Sequence, residues 1–209
     1  MEGIIRMGGT LTAKVTRAKR APLSWKLRNN LRWSFIWGWL CTKAAHVFTH
    51  VTGIPTMLGQ LSIRARLRGQ WIDYGVVSYR VITTAAVNYI VDDWDGGAAT
   101  IDDFNYHGCG TGAGAEAVGE TALVTECTAA LNPNDVRATG VKTQPSANVA
   151  QSVGVVTFDA GAAVIEHGIL TQAATGGGTL LDRSLFAAIN VIAGDTITFT
   201  YQWTLTAGG

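Results

Sequence analysis

The sequence predicts a mainly β protein: an antiparallel β-sandwich of jelly-roll type with an N-terminal arm and one amphipathic helix. Three observations carry that class. The closing stretch Thr196–Thr206 alternates polar and apolar residues without an error, strand-like runs and turn signals recur roughly every ten residues from Ala122 onward, and helical periodicity is confined to one early segment.

In the closing stretch every even position is Thr or Gln, and the odd positions are Ile197, Phe199, Tyr201, Trp203 and Leu205. Period two gives a strand with one apolar face and one hydroxyl face. All five odd side chains are expected in the core. β-branched Thr and aromatic residues favour such a pleated, half-buried surface. A strand of this length needs neighbours and a second layer over its aromatic face.

Composition sets the frame. Only 15% of residues are charged, against about 25% in an ordinary domain, so other chains are expected to cover much of the surface. Cys41, Cys109 and Cys127 form no C-x-x-C and leave one thiol over, so neither a disulfide framework nor a zinc ribbon is indicated. The net charge of +1 conceals a split: residues 1–80 hold 13 Lys and Arg against Glu2 and Asp73, while residues 81–209 hold Arg137, Lys142 and Arg183 against 13 acids. Two halves of opposite sign imply an anionic partner for the first, or head-to-tail contact between copies.

Taken in order, residues 1–22 are basic and poor in core formers, which predicts an arm ordered by a partner. No apolar run follows the basic residues closely enough for a signal peptide. Over Leu23–Val51 the residues Trp33, Trp37, Leu40, Ala44, Val47 and Val51 are spaced 4, 3, 4, 3, 4, an apolar stripe on one helix. Phe35, Ile36 and Trp39 lie beside or off the stripe, so the helix middle is apolar nearly all round. The run from Trp33 to Cys41 is far short of the roughly 20 residues that span a bilayer. Three docking modes remain open: the chain's own sheet, a partner protein, or a lipid surface with Lys26, Arg28, Arg32 and Lys43 on phosphates.

From Leu58 a strand places Arg64, Arg66 and Arg68 on one face, a row suited to carboxylates or phosphates and equally to plain solvation. Trp71–Thr83 completes a hairpin. Gly108 to Gly114 is expected to be a flexible connection. Strands are then expected at Ala122–Leu131, Val136–Lys142, Val149–Phe158, Val164–Thr171 and Leu180–Val191, with turns at Asn132–Asp135, Asp159–Gly161 and Gly176–Gly178. The division is thus a basic arm and Trp-rich helix over 1–55 and a β body over 56–209.

No catalytic, cofactor-binding or metal site is expected. The aspartates at 92, 93, 95, 102 and 103 lack the alternating spacing of a calcium loop. His46 and His50 lack a third ligand at suitable spacing. Glu166 and His167 are adjacent on a strand and point to opposite faces. Ser184 has no nucleophile-elbow glycines, and the G-x-G near Gly108 follows no buried parallel strand.

The segments Asp73-Tyr74-Gly75-Val76-Val77-Ser78, Phe104-Asn105-Tyr106-His107, Glu166-His167-Gly168-Ile169 and Asp182-Arg183-Ser184-Leu185-Phe186-Ala187-Ala188-Ile189-Asn190-Val191 resemble β-rich virion structural proteins of tailed bacteriophages, over about residues 60–209. The resemblance implies architecture and setting rather than chemistry. In that setting capsid decoration, or cement, proteins have compact β bodies with an arm or helix reaching neighbouring subunits. The expectations that follow are a virion protein assembled in the host cytoplasm, with the major capsid protein or other virion proteins as partners, and a homo-oligomer with a trimer favoured. A neck or tail component is the alternative within this setting, and a membrane-surface or nucleic-acid-binding module the alternative outside it. Trp33, Phe35, Ile36, Trp37, Trp39, Leu40, Arg64, Arg66 and Arg68 are the expected partner-binding residues.

Overall fold

The computed structural model describes residues 2–6, 12–16, 18–132 and 135–207, with the backbone alone at 2–6, 12–16, 80–81 and 132. It is mainly β. The strands are β1 (Glu2–Arg6), β2 (Thr12–Thr16), β3 (Lys19–Arg20), β4 (Thr56–Leu67), β5 (Gln70–Val81), β6 (Tyr106–Gly110), β7 (Leu131–Asn132), β8 (Ala138–Thr139), β9 (Val141–Ser146), β10 (Val149–Phe158), β11 (Ala162–Leu170), β12 (Leu180–Val191) and β13 (Thr196–Thr206). The helices are α1 (Leu23–Asn30), α2 (Trp33–Thr52) and α3 (Thr84–Trp94).

Two sheets make the body. The larger runs β3-β5-β4-β13-β10-β7 with β9 also on β10, and the smaller runs β12-β11-β6-β8. All pairs are antiparallel except β3 with β5. β13 sits at the centre of the larger sheet, with Phe199 opposite Ile63 on β4 and Gly154 on β10. Ile197, Phe199 and Tyr201 are buried as their alternation predicts. Their face meets the smaller sheet: Phe186 of β12 lies 6.3 Å from Phe199, and the His167 ring of β11 stacks on Phe199 at 4.3 Å.

Several expectations are corrected. Leu205 is 50% exposed and Trp203 only half-buried, so the apolar face of β13 is covered at Ile197, Phe199 and Tyr201 but not to its end. Three helices replace the single one expected. The early helical pattern is broken at Leu31-Arg32, where Arg32 leaves helical geometry (φ −64°, ψ 133°). The second addition, α3, lies in the body; Thr83 nucleates it by accepting the Ala86 N–H on its hydroxyl while donating to the Leu180 carbonyl.

Ala122–Leu131 forms no long strand. Its residues serve instead as a covering loop, joined to β6 by an isolated bridge at Glu126. Val136–Lys142 divides into β8 and β9 around Gly140, where a Cβ would overlap Ser152. The glycines at 108 and 110, expected in a flexible connection, belong to strand β6 inside the smaller sheet; their missing side chains admit Leu123 and the Thr125 backbone from that loop. In the arm, β1 and β2 pair antiparallel and Lys19–Arg20 extends the sheet edge, so these segments have regular backbone in the isolated chain. Pro133 and Asn134 of the expected turn lie outside the described residues.

Candidate functional site

Helices α1 and α2 are seated on the body through small and polar side chains. Asn29, fully buried, donates to the Val77 carbonyl of β5 at 3.0 Å and accepts the Ala187 N–H of β12 at 2.9 Å, tying both sheets to one helix. Trp25 Nε1–H donates to the Ala187 and Ala188 carbonyls, and its ring meets Tyr74 edge-on at 4.6 Å. Further along, Gly38 abuts the Tyr79 backbone so closely that a Cβ would overlap its carbonyl oxygen. Thr49, fully buried, shares a 3.0 Å hydrogen bond with Thr56 at the start of β4. Gly53 closes α2 in the left-handed region (φ 71°).

Gly38 and Thr49 are the buried residues of α2, and the apolar stripe points away. Trp33 is 73% exposed, Trp37 53%, Leu40 44%, Val47 63% and Val51 78%. The helix does lie on the chain's own sheet, through the face opposite to the stripe. Of the expected partner-binding residues, Trp33, Trp37, Trp39 and Leu40 are exposed on α2, with Trp33 and Trp37 stacked at 6.0 Å. Phe35 and Ile36 are half-buried, and Phe35 meets Tyr79 at 5.6 Å. A cleft of about 540 Å³ opens between Trp33, Trp37 and the loop at Ala113–Glu116. Among the described residues, no helix is long and apolar enough to cross a membrane.

Arg64, Arg66 and Arg68 form a separate exposed patch around β4. Arg64 and Arg66 pair in register with Thr198 and Thr196, so the guanidinium row borders the hydroxyl row of β13. The Arg64 guanidinium lies 4.6 Å from the centre of the Trp71 ring, and Arg68 occupies the hairpin turn at φ 50° with its N–H donated to Asp195. A planar cation resting on an aromatic face has its guanidinium oriented, a geometry suited to bidentate carboxylate or phosphate contact.

Inside the body lie two polar centres, one on each face of β11, of which the sequence analysis considered only Glu166 and His167. Ser152 Oγ, His107 and His167 form a chain, with Ser152 Oγ 2.9 Å from His107 Nε2 and His107 Nδ1 2.9 Å from His167 Nε2. All three are buried. Burial pulls His107 down to about 3, and burial with the adjoining His107 holds His167 well below its ordinary value. This enclosed chain joins Ser152 on β10 of the larger sheet to His107 on β6 and His167 on β11 of the smaller one. On the other face of β11, Glu166 receives Arg183 Nε at 2.6 Å and the N–H groups of Gly112, Val124 and Thr125. Arg183 reaches Glu120 and the carbonyls of Gly112 and Gly114 as well, pinning the glycine-rich loop to the sheet. Among the described residues no group of three His, Cys, Asp or Glu is placed to hold a metal ion.

Sequence reading missed one exposed apolar element. Val87, Val91 and Trp94 lie on α3 and are 47%, 60% and 93% exposed. The signal was present as Thr83 followed by apolar residues at spacing four and three. Comparison with protein-family models, curated proteins and solved structures finds no match for this chain.

Proposed function

We propose that this chain is a non-enzymatic structural protein of a tailed-bacteriophage virion, a capsid decoration protein that stabilises the head. The observation that carries the reading is the outward stripe of α2. A helix whose buried residues are a glycine and a threonine, with Trp33, Trp37, Leu40, Val47 and Val51 turned to solvent, leaves a large apolar area uncovered. At roughly 25 cal/mol per Å², covering such an area is a strong drive to associate. The two facing antiparallel sheets suit a sandwich of jelly-roll type, a body that many capsid components use.

In this reading the Arg64–Arg66–Arg68 row and its neighbouring hydroxyls face the shell, while the α1–α2 layer clamps adjoining subunits, with a trimer the favoured assembly. A neck or tail position would use the same surfaces. Density-gradient sedimentation with intact particles tests the proposal. The protein is expected in the particle band, and Arg64→Glu with Arg66→Glu is expected to release it. Protein that stays at the top of the gradient in every condition would refute a virion role.

A further inference from the structure

The outward stripe of α3 is matched to that of α2 in both spacing and charge. Val87, Val91 and Trp94 follow the 4, 3 spacing of an interhelical seam, and the α2 stripe repeats 4, 3, 4, 3, 4. Trp94, at 93% exposed, has almost no contact with its own chain. The charges around the two stripes have opposite signs. Helix α3 and its C-cap residue carry Asp92, Asp93 and Asp95 with no Lys or Arg, whereas the α1–α2 layer carries Lys26 and Arg28 on α1, Arg32 at the junction and Lys43 on α2 with no acid. Asp102 beyond α3 is already paired with Lys142.

We infer that the α3 face of one copy docks on the α2 face of a neighbouring copy. This deepens the proposed function by naming the occupant of the α2 surface, and it rests on the reading of that surface as a docking site. Charge decides between the two ways in which a second copy fits. Placing α2 on α2 brings one all-basic layer against another, while α3 on α2 brings aspartates to lysines and arginines around an apolar seam. The lengths agree: α3 spans about 16 Å and α2 about 30 Å, so the three-turn seam of α3 fits within the stripe of α2. Because the two surfaces differ, the contact is head-to-tail and repeats from copy to copy, closing into a ring where the rotation allows.

Sedimentation velocity on the purified full chain, without particles, tests this. Two variants are compared, each altered only at exposed positions: Leu40→Glu with Val47→Glu on α2, and Val91→Glu with Trp94→Glu on α3. Near-ultraviolet circular dichroism confirms that both are folded. Wild type is expected to associate, each variant to sediment as a monomer with at least a tenfold weaker association, and their equimolar mixture to form a dimer and nothing larger. That mixture has one intact α2 face and one intact α3 face, so a single contact forms. An α3 variant that associates like wild type, a mixture that stays monomeric, or a wild type that stays monomeric would overturn the inference. Flotation of wild type with anionic phosphatidylserine vesicles, blocked by the α2 substitutions, would overturn it in favour of lipid. If wild type bands with particles yet is monomeric alone, the inference fails and the virion reading stands.

Discussion

Arg183 Nε and Glu166 Oε2 lie 2.6 Å apart with both side chains fully buried, at the point where strands β11 and β12 meet the glycine-rich loop. Removing one member of such a pair leaves an uncompensated buried charge, which costs about 3–5 kcal/mol. Glu166→Gln is therefore expected to lower stability by that order in urea unfolding. It also weakens acceptance of the Gly112, Val124 and Thr125 N–H groups, so amide exchange across residues 112–125 should accelerate. Unchanged stability would show that the loop is held by other contacts.

Phe199 is fully buried between the sheets, and Thr198 is a half-buried member of the hydroxyl row on the other face of β13. Phe199→Ala is expected to cost about 3–5 kcal/mol, as other buried aromatic truncations do. Thr198→Ala should cost less than half as much. Equal losses at the two positions would mean that the outer face of the sheet is also covered.

These residues show how much was legible in advance. The bounds of β10, β12 and β13 were readable because alternation is local: Phe199 is buried for the same reason that Thr198 is not. The seating of α2 was not readable, since an apolar stripe ordinarily marks the buried face, and only the close approach of Gly38 to Tyr79 reveals the reverse. Nor were the Arg183–Glu166 and Ser152–His107–His167 centres readable. Their hydrogen-bonded partners are 17, 45 and 60 residues apart in sequence and meet only through sheet registration. Trp94 was obscured by its aspartates, which looked like a turn.

His107 and His167 fold as neutral rings, and burial is the first cause for both. In the unfolded chain they titrate near the ordinary value of about 6.5. Since both folded values are depressed, the stability they contribute is fully present above pH 6.5 and is lost as pH falls below it, for His107 toward about 3. Between those limits His107 is expected to add a slope of about 1.4 kcal/mol per pH unit, and His167 to act in the same direction. Thermal unfolding between pH 7 and pH 4 should show the midpoint falling with acid, and His107→Gln should flatten the curve. A wild-type midpoint flat down to pH 4 would contradict neutral burial.

Gly38 allows α2 to lie directly on β5, where a Cβ would overlap the Tyr79 carbonyl oxygen. Alanine is the better helix former by about 1 kcal/mol, yet overpacking against a backbone costs about 1–3 kcal/mol. Gly38→Val is accordingly expected to destabilise the protein and to loosen α2, read as faster amide exchange over Trp33–Thr52. Gly53→Ala, with open space around it, should cost only the strain of its φ of 71°.

On the proposed function the outward α2 face is a protein-docking surface. The most direct measurement is the fraction of protein that bands with intact virions, for wild type and for Leu40→Glu with Val47→Glu, at about 0.15 M and about 1 M ionic strength. Buried Trp and Leu surface is not screened by salt, so wild type is expected to stay bound at both, with at least tenfold less of the variant bound. Equal binding of the two proteins, or wild-type binding that vanishes at the higher salt, would contradict the account.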